Sequence, residues 1–205
     1  MLARGRTNEA LDAALALAKG KHAGARAVGH VYAGHAFLVL GRIREATEEL
    51  TAAEKEGQAL SHVGAMVTRS SLEPYVEGLR AEIYLRSGKM KEGREIFKEV
   101  MRKLRAVPGP DAWSQGLFRL EAIARSAREV GDWELAEYTA RQMLDHDPAY
   151  AGTHYALALV AEHKRDRAAA RKAYAAAEKY WRNADADLPE RSQVRANAQE
   201  QPPTR

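Results

Sequence analysis

Residues 131–148, GDWELAEYTARQMLDHDP, join a turn glycine to one amphipathic helix that ends at a proline. Glycine adopts positive φ angles at no steric cost, and proline cannot continue a helix, so these two residues mark both ends of the segment. The turn position recurs along the chain, 36, 47, 43 and 34 residues apart, at Gly5, Gly41, Gly88, Gly131 and Arg165. Recurrence at such a period is typical of stacked helical repeats. We expect Arg165, which stands in place of a glycine, to keep an ordinary backbone conformation.

Small residues accompany each full turn at fixed distances, seven positions before it and five positions after it. They are Gly34 and Ala46, Ala81 and Gly93, Ala124 and Ala136, and Ala158 and Ala170. Two helices can cross closely only where one side chain is small enough to admit the bulk of its neighbour. The pattern therefore predicts that the two helices around each turn pack against each other as a hairpin.

The hydrophobic periodicity predicts nine helices, over residues 7–20, 24–40, 43–60, 72–87, 89–106, 112–130, 133–146, 150–163 and 167–183. Residues 184–205 are polar and contain three prolines, so they have little apolar surface to bury. We therefore predict one repeat domain over residues 1–183 and a disordered tail over residues 184–205. Deleting residues 191–205 is expected to leave the melting temperature almost unchanged.

The turns and small residues together resemble the tetratricopeptide (TPR) repeat, whose period of about 34 residues equals the last spacing. The resemblance implies an all-α fold, a right-handed α-α superhelix of about four and a half helix hairpins. A shorter segment resembles the end of TPR arrays in large bacterial multidomain proteins; its residues are Trp181, Ala184, Asp185, Asp187, Leu188 and Pro189. The resemblance also implies a non-catalytic scaffold that binds a peptide or a partner domain in its concave groove.

In TPR proteins the first helix of each hairpin lines that groove. Carried onto this chain by register, the groove residues are Val31, His35, Leu38, Gly78, Glu82, Arg86, Glu121, Arg125, Arg128, Tyr155, Leu159 and Glu162. A second interpretation applies to Glu82 with Arg86 and to Glu121 with Arg125, because side chains four residues apart on a helix can pair with each other. The two interpretations can hold together.

The helix after Gly88 carries five basic residues within about 80° of its circumference. These are Lys91, Arg94, Lys98, Arg102 and Arg105. Such a basic stripe could bind nucleic acid or an acidic polymer. The alternative is an outer helix on which neighbouring glutamates neutralise the charge, as Glu99 could do for Arg102. No aromatic residue interleaves the stripe, so the sequence does not favour nucleic-acid binding.

Several kinds of chemistry lack their residues in this sequence. The chain has no cysteine, which excludes disulfides, thiolate metal sites and a cysteine nucleophile. It also has no glycine-rich phosphate loop, no G-x-S-x-G and no H-E-x-x-H motif. We therefore predict no enzymatic activity, no metal and no cofactor. No apolar run is long enough to span a membrane, and we place the chain in the cytoplasm, with the periplasm left open.

The N-terminal end predicts an incomplete repeat, because only Leu2 to Arg4 precede Gly5. Helix 7–20 would then have an uncovered apolar face, formed by Leu11, Ala14, Leu15 and Ala18. Uncovered apolar patches promote association, so we predict a homodimer through this face. The incomplete repeat also favours an alternative function. The chain would then be a regulatory or sensor module of a larger bacterial protein, packed against an attached enzyme or transcription-factor domain.

Overall fold

The computed structural model describes residues 6–60, 69–105, 110–184 and 188–199, and these residues form ten helices and no strand. In chain order they are α1 (Thr7–Ala18), α2 (Ala23–Val39), α3 (Ile43–Gln58), α4 (Arg69–Arg86), α5 (Met90–Arg105), α6 (Pro110–Glu129), α7 (Trp133–His146), α8 (Ala151–His163), α9 (Arg167–Tyr180) and α10 (Pro189–Gln199). The all-α, TPR-like class is confirmed. The contacts group the chain into two compact units, Met1–Ala106 and Val107–Arg205, where the sequence predicted one repeat domain.

Four turns join the hairpins α2–α3, α4–α5, α6–α7 and α8–α9, and all four have the same hydrogen bonds. At the first turn the Gly41 N–H donates to the Leu38 carbonyl at 3.0 Å, and the Arg42 N–H donates to the Phe37 carbonyl at 2.8 Å. This pair of bonds defines the Schellman motif, which requires a left-handed residue just after the helix. The glycines provide it, with φ of 74° at Gly41 and 81° at both Gly88 and Gly131.

Arg165 departs from the prediction, because its φ is 60° and therefore left-handed. Its N–H donates to Glu162 O at 2.8 Å, and the Asp166 N–H donates to Ala161 O at 2.9 Å. The turn thus keeps the Schellman geometry without a glycine. Asp166 helps to hold it, since its carboxylate caps α9 by accepting from the Ala169 N–H at 3.0 Å.

Replacing Arg165 by glycine is expected to stabilise the second unit by about 1 kcal/mol. The left-handed backbone costs a non-glycine residue about 1–2 kcal/mol, and glycine removes this cost. Part of the gain is lost again, because glycine makes the unfolded chain more flexible. Urea titrations of the variant and the parent would measure the difference. The matched control is Arg167→Gly, which places a glycine in the first turn of α9 and should destabilise instead. A lower unfolding free energy for Arg165→Gly than for the parent would contradict the argument.

The predicted small residues are located at close helix crossings. Ala46, Ala124, Ala136 and Ala158 are fully buried. A Cβ atom on Gly93 would lie 2.9 Å from the Ala81 carbonyl oxygen, and a Cβ atom on Gly34 would lie 2.5 Å from Leu79 Cδ2. In the first unit, buried apolar residues of α1, α2, α3 and α4 pack together into one core.

The apolar face of α1 is covered, contrary to the prediction for the N-terminal end. Leu11, Ala14 and Ala18 are at most 9% exposed, and Leu15 packs against the same core. The covering helix is α2, which approaches so closely that a Cβ atom on Gly29 would lie 2.4 Å from the Ala18 nitrogen. The face proposed for a homodimer is therefore occupied within the chain, and that prediction loses its structural basis.

The C-terminal region also differs from the predicted disordered tail, since Pro189–Gln199 forms α10 and packs on α9. Val194 is only 1% exposed and joins a cluster with Ala158, Tyr174 and Ala177. Arg191 fixes the approach to the helix by donating from Nη1 to the Ala184 carbonyl at 2.6 Å. Deleting residues 191–205 would remove this buried side chain, so the predicted unchanged melting temperature is wrong and we expect a lower one.

Candidate partner-binding surfaces

Two of the predicted groove residues of the first unit belong to its core. Val31 is 1% exposed and Leu38 is fully buried, and both pack among the apolar residues of α2, α3 and α4. Helical register placed them on the first helix of a hairpin, but the neighbouring helices cover that side of α2. Val31 and Leu38 are therefore removed from the candidate surface.

The polar groove residues of the first unit form one connected network between α2 and α4. His35 Nδ1 lies 2.8 Å from Glu82 Oε2, and Arg86 Nη2 lies 3.0 Å from Glu82 Oε1. The carboxylate of Glu82 is 8% exposed, so both partners satisfy a buried charge. The predicted pairing of Glu82 with Arg86 is confirmed, and His35 extends it to the next hairpin. Gly78, also on α4, has open space beside it. A Cβ atom added there would meet no atom within 4 Å apart from the neighbouring backbone of its own helix.

Two of the five basic residues of the stripe on α5 are paired with glutamates. Lys98 Nζ lies 3.1 Å from Glu95, and Arg102 Nη2 lies 2.6 Å from Glu99. The hydrogen bond from Arg102 lowers the pKa of Glu99, so the pair stays ionised. Arg94 also has a partner, Lys91 is exposed, and the side chain of Arg105 lies outside the described residues. The structure therefore favours the ion-paired interpretation over a stripe that binds nucleic acid.

In the second unit, Glu121 of α6 is bound to Tyr150 rather than to Arg125. The Tyr150 hydroxyl donates to Glu121 Oε2 at 2.6 Å. Burial, together with the nearby carboxylate, raises the pKa of Tyr150, which keeps the hydroxyl protonated as a donor. The other oxygen of Glu121, Oε1, lies very close to Gly152 in the first turn of α8. A Cβ atom added to this glycine would be only 2.8 Å from it. The predicted Glu121–Arg125 pair is therefore wrong, because Tyr150 and the start of α8 hold the carboxylate.

Arg125 and Arg128 share one side of α6 and have few partners for their charge. Arg125 Nη2 lies 3.5 Å from Glu190 Oε1 of α10, and the Arg125 side chain is 34% exposed. Arg128 Nη1 is buried and has no hydrogen-bond partner among the described residues. Burial lowers the pKa of Arg128, although an arginine stays protonated at neutral pH even so. The second unit thus contains a desolvated guanidinium with a free donor.

Tyr155 and Leu159 of α8 complete this surface, and both are half-buried. The Tyr155 hydroxyl donates to Gln193 Oε1 of α10 at 2.9 Å, and its ring lies 5.6 Å from the ring of Trp181. Glu162, one turn further along α8, is exposed. We call the surface formed by Arg125, Arg128, Tyr155 and Leu159 the arginine face. These four residues lie on α6 and α8, and their role in binding a partner stays a prediction. Helix α10, which the sequence did not predict, contacts Arg125 and Tyr155.

The described residues contain no cluster of three or more histidine, aspartate or glutamate side chains that could hold a metal ion. Within the same residues no helix is both long and apolar enough to cross a membrane.

The paired helices, the Schellman turns and the small residues at the crossings define a helical-hairpin repeat protein of the TPR-like class. No protein-family model matches the sequence, and no curated protein matches it. Among solved structures, the chain is similar to the crystal structure of BtubC (BKLC) from P. vanneervenii, with a TM-score of 0.62 and 16% identity. That likeness covers 95% of this chain and 79% of the other. Because only 16% of the residues are identical, the likeness shows a similar fold alone.

A second similarity is to the crystal structure of the APC/C hetero-tetramer Cut9-Hcn1, with a TM-score of 0.48 and 14% identity. It covers 85% of this chain but only 36% of the other. This similarity is too weak to add to the description of the fold.

Proposed function

We propose that this protein is a non-catalytic interaction scaffold that binds a carboxylate-bearing peptide segment of a partner protein at the arginine face. The observation that carries the proposal is the buried Nη1 of Arg128, which has no hydrogen-bond partner among the described residues. A buried donor left unsatisfied costs about 1–3 kcal/mol, and more when the group is charged. A ligand that supplies the missing acceptor would recover that cost on binding.

The chemistry of the face indicates which ligand would fit. A carboxylate can accept two parallel N–H bonds from a guanidinium, which is stronger and more directional than a neutral hydrogen bond. The contact of Arg125 with Glu190 of α10 supports this choice, because it already places one carboxylate 3.5 Å from one arginine of the face. Tyr155 and Leu159 add apolar surface beside the charges, so an aspartate or glutamate next to an apolar residue would match the face.

Arg128→Met tests the proposal, because methionine keeps an unbranched apolar stem and removes the unsatisfied donor. We expect the variant to be as stable as the parent or about 1 kcal/mol more stable, while it loses most of its peptide binding. Acidic peptides selected from a displayed library against the parent chain would be labelled, and their dissociation constants would be measured by fluorescence anisotropy. A loss of about tenfold or more is expected for Arg128→Met.

Arg141→Met serves as the matched control, because Arg141 is 68% exposed on α7 and lies outside the arginine face. It should leave both the affinity and the stability almost unchanged. If the selected peptides bind Arg128→Met as tightly as the parent, the arginine face is not their site. If Arg128→Met unfolds the chain, the guanidinium is a structural group and the proposal is wrong.

A further inference from the structure

A concave surface lies on the side of α8 away from the arginine face, between α7 and α9. It is a groove of about 480 Å³, a size within the range of ligand pockets. Its apolar lining includes Leu144, Leu157, Val160, Ala169, Ala173 and Ala176. Leu157 stands two residues from both Tyr155 and Leu159, and at about 100° per residue this places it on the side of α8 opposite the arginine face. We call this surface the outer groove.

The outer groove is open because α9 presents alanines to it. Ala169 is exposed, and Ala173 and Ala176 are only half-buried, so apolar surface along about two turns of α9 remains accessible. Leu157 and Leu144, which provide larger apolar side chains from α8 and α7, are likewise incompletely buried. An accessible apolar strip of this length, bordered by helices on both sides, has the shape that accepts one face of a further helix.

The groove is lined by three basic residues, Arg141, Lys164 and Lys172, and by two acidic ones, Glu137 and Asp166, and the surrounding sequence is more basic. Residues 164–182 contain seven basic and two acidic residues, an excess of five positive charges, whereas the whole chain has a net charge of +4. At the rim, Arg141 and Lys164 both pair with the single carboxylate of Glu137. Arg167 and Arg171 lie about 150° or more around α9 from the residues that line the groove, so they face away from it. Lys172 lines the groove, and no described carboxylate pairs with it. On α5, by contrast, Lys98 and Arg102 are paired with glutamates.

We propose that the outer groove binds an amphipathic helix of another protein, with an apolar stripe on one side and acidic residues flanking it. The apolar stripe would cover the alanines of α9 and the leucines of α7 and α8, and the acidic flank would face Lys172, the basic residue that α9 contributes to the lining. The charges would steer the approach and fix the orientation, while the apolar contact would supply most of the binding. This surface goes beyond the arginine face, because it uses the opposite side of α8 and recognises a partner helix mainly by apolar contact rather than a carboxylate by a guanidinium.

The test uses the full chain and a fluorescently labelled synthetic helix of about 18 residues, long enough to be partly helical in water. It carries leucine at i, i+3, i+4 and i+7 with glutamate on the flanks. Three comparison probes are a scrambled peptide of the same composition, a peptide with lysine in place of glutamate, and a single-stranded oligonucleotide. Fluorescence anisotropy measures each dissociation constant at two salt concentrations.

Ala169→Trp and Lys172→Glu change the groove, and each has a matched control. Ala169→Trp fills the groove from an exposed position, whereas Ala168→Trp adds the same ring at an exposed neighbour on α9 that does not line it. Lys172→Glu reverses a rim charge, whereas Lys91→Glu reverses an exposed lysine on α5. We expect Ala169→Trp to weaken the acidic helix about tenfold or more and Lys172→Glu to weaken it about fivefold, with both controls near the parent value.

The outcomes separate the alternatives. Tighter binding of the acidic helix than of the scrambled and lysine peptides, lost in Ala169→Trp but kept in Ala168→Trp, supports the outer groove. Equal binding of the acidic and scrambled peptides would overturn the proposal, as would no binding up to about 100 μM peptide. Binding of the oligonucleotide that responds to Lys172→Glu but not to Ala169→Trp would assign the positive charge to a nucleic acid instead. Arg128→Met should not change the affinity of the acidic helix, which separates this result from that of the arginine face.

Discussion

Replacing Gly29 by alanine is expected to destabilise the first unit by about 2 kcal/mol, although alanine favours a helix by about 1 kcal/mol over glycine. The added Cβ atom would lie 2.4 Å from the nitrogen and 2.8 Å from the Cα of Ala18, and these are backbone atoms that no side-chain rotation can move aside. Helices α1 and α2 would have to separate, which exposes Leu11 and Ala14. Gly29→Leu should cost about 3 kcal/mol or more, because the larger side chain forces a wider separation.

Gly78→Ala is the matched control, since it makes the same substitution inside α4 of the same unit. A Cβ atom there would meet no atom within 4 Å, so only the gain in helix propensity remains. We expect this variant to be about 0.5–1 kcal/mol more stable than the parent. Urea denaturation would measure both variants, and amide hydrogen exchange would show whether the loss at Gly29 is located in α1. A Gly29→Ala variant as stable as Gly78→Ala would mean that α1 does not pack on α2 as described.

The fold was largely predictable because its determinants are local. Each turn needs a residue that accepts a left-handed backbone, and each crossing needs small residues at fixed distances from that turn. Arg165 shows the limit of this reasoning: the pattern located the turn, but the hydrogen bonds of the turn decided the backbone conformation of the residue. The φ of 60° follows from the geometry that the other three turns reach with glycine.

The candidate surfaces were less predictable, because they depend on which helix covers which side. Register alone placed Val31 and Leu38 in the groove, and only the packing of neighbouring helices shows that they are buried. Arg125 and Arg128 were selected by register, but their shortage of partners depends on Tyr150 holding Glu121. The outer groove was not predicted, because the small-residue pattern assigned a role to Ala170 of α9 and to none of the alanines that line the groove. The basic excess of residues 164–182 was the signal in the sequence that could have indicated this surface.

Helix α10 was missed for a different reason, namely that its mean composition is polar. Two local signals were present in the sequence: Pro189, which suits the first position of a helix, and Glu190, whose charge is favourable in the first turn. A single apolar residue, Val194, was too weak a pattern to outweigh the polar composition. Its burial depends on a site formed by Ala158, Tyr174 and Ala177, which lie on α8 and α9.

Val194→Asp is therefore expected to destabilise the second unit by about 2–3 kcal/mol. The substitution removes an apolar side chain that is 1% exposed and places a carboxylate in a cluster with Ala158, Tyr174 and Ala177, none of which is positively charged. The charge can avoid burial only if α10 leaves α9. In that case Arg125 and Tyr155 lose their contacts with Glu190 and Gln193, and the cost becomes that of the whole helix.

Ala196→Asp is the matched control, because Ala196 is exposed on the same helix and receives the same charge. It should change the unfolding free energy by no more than about 0.5 kcal/mol. Thermal denaturation would measure both variants, and amide exchange over residues 189–199 would show whether α10 opens. The fluorescence of Trp181, which packs against the Val194 cluster, provides a second local signal. If Val194→Asp and Ala196→Asp melt at the same temperature as the parent, α10 contributes nothing to stability, and the chain ends in the disordered tail that its composition suggested.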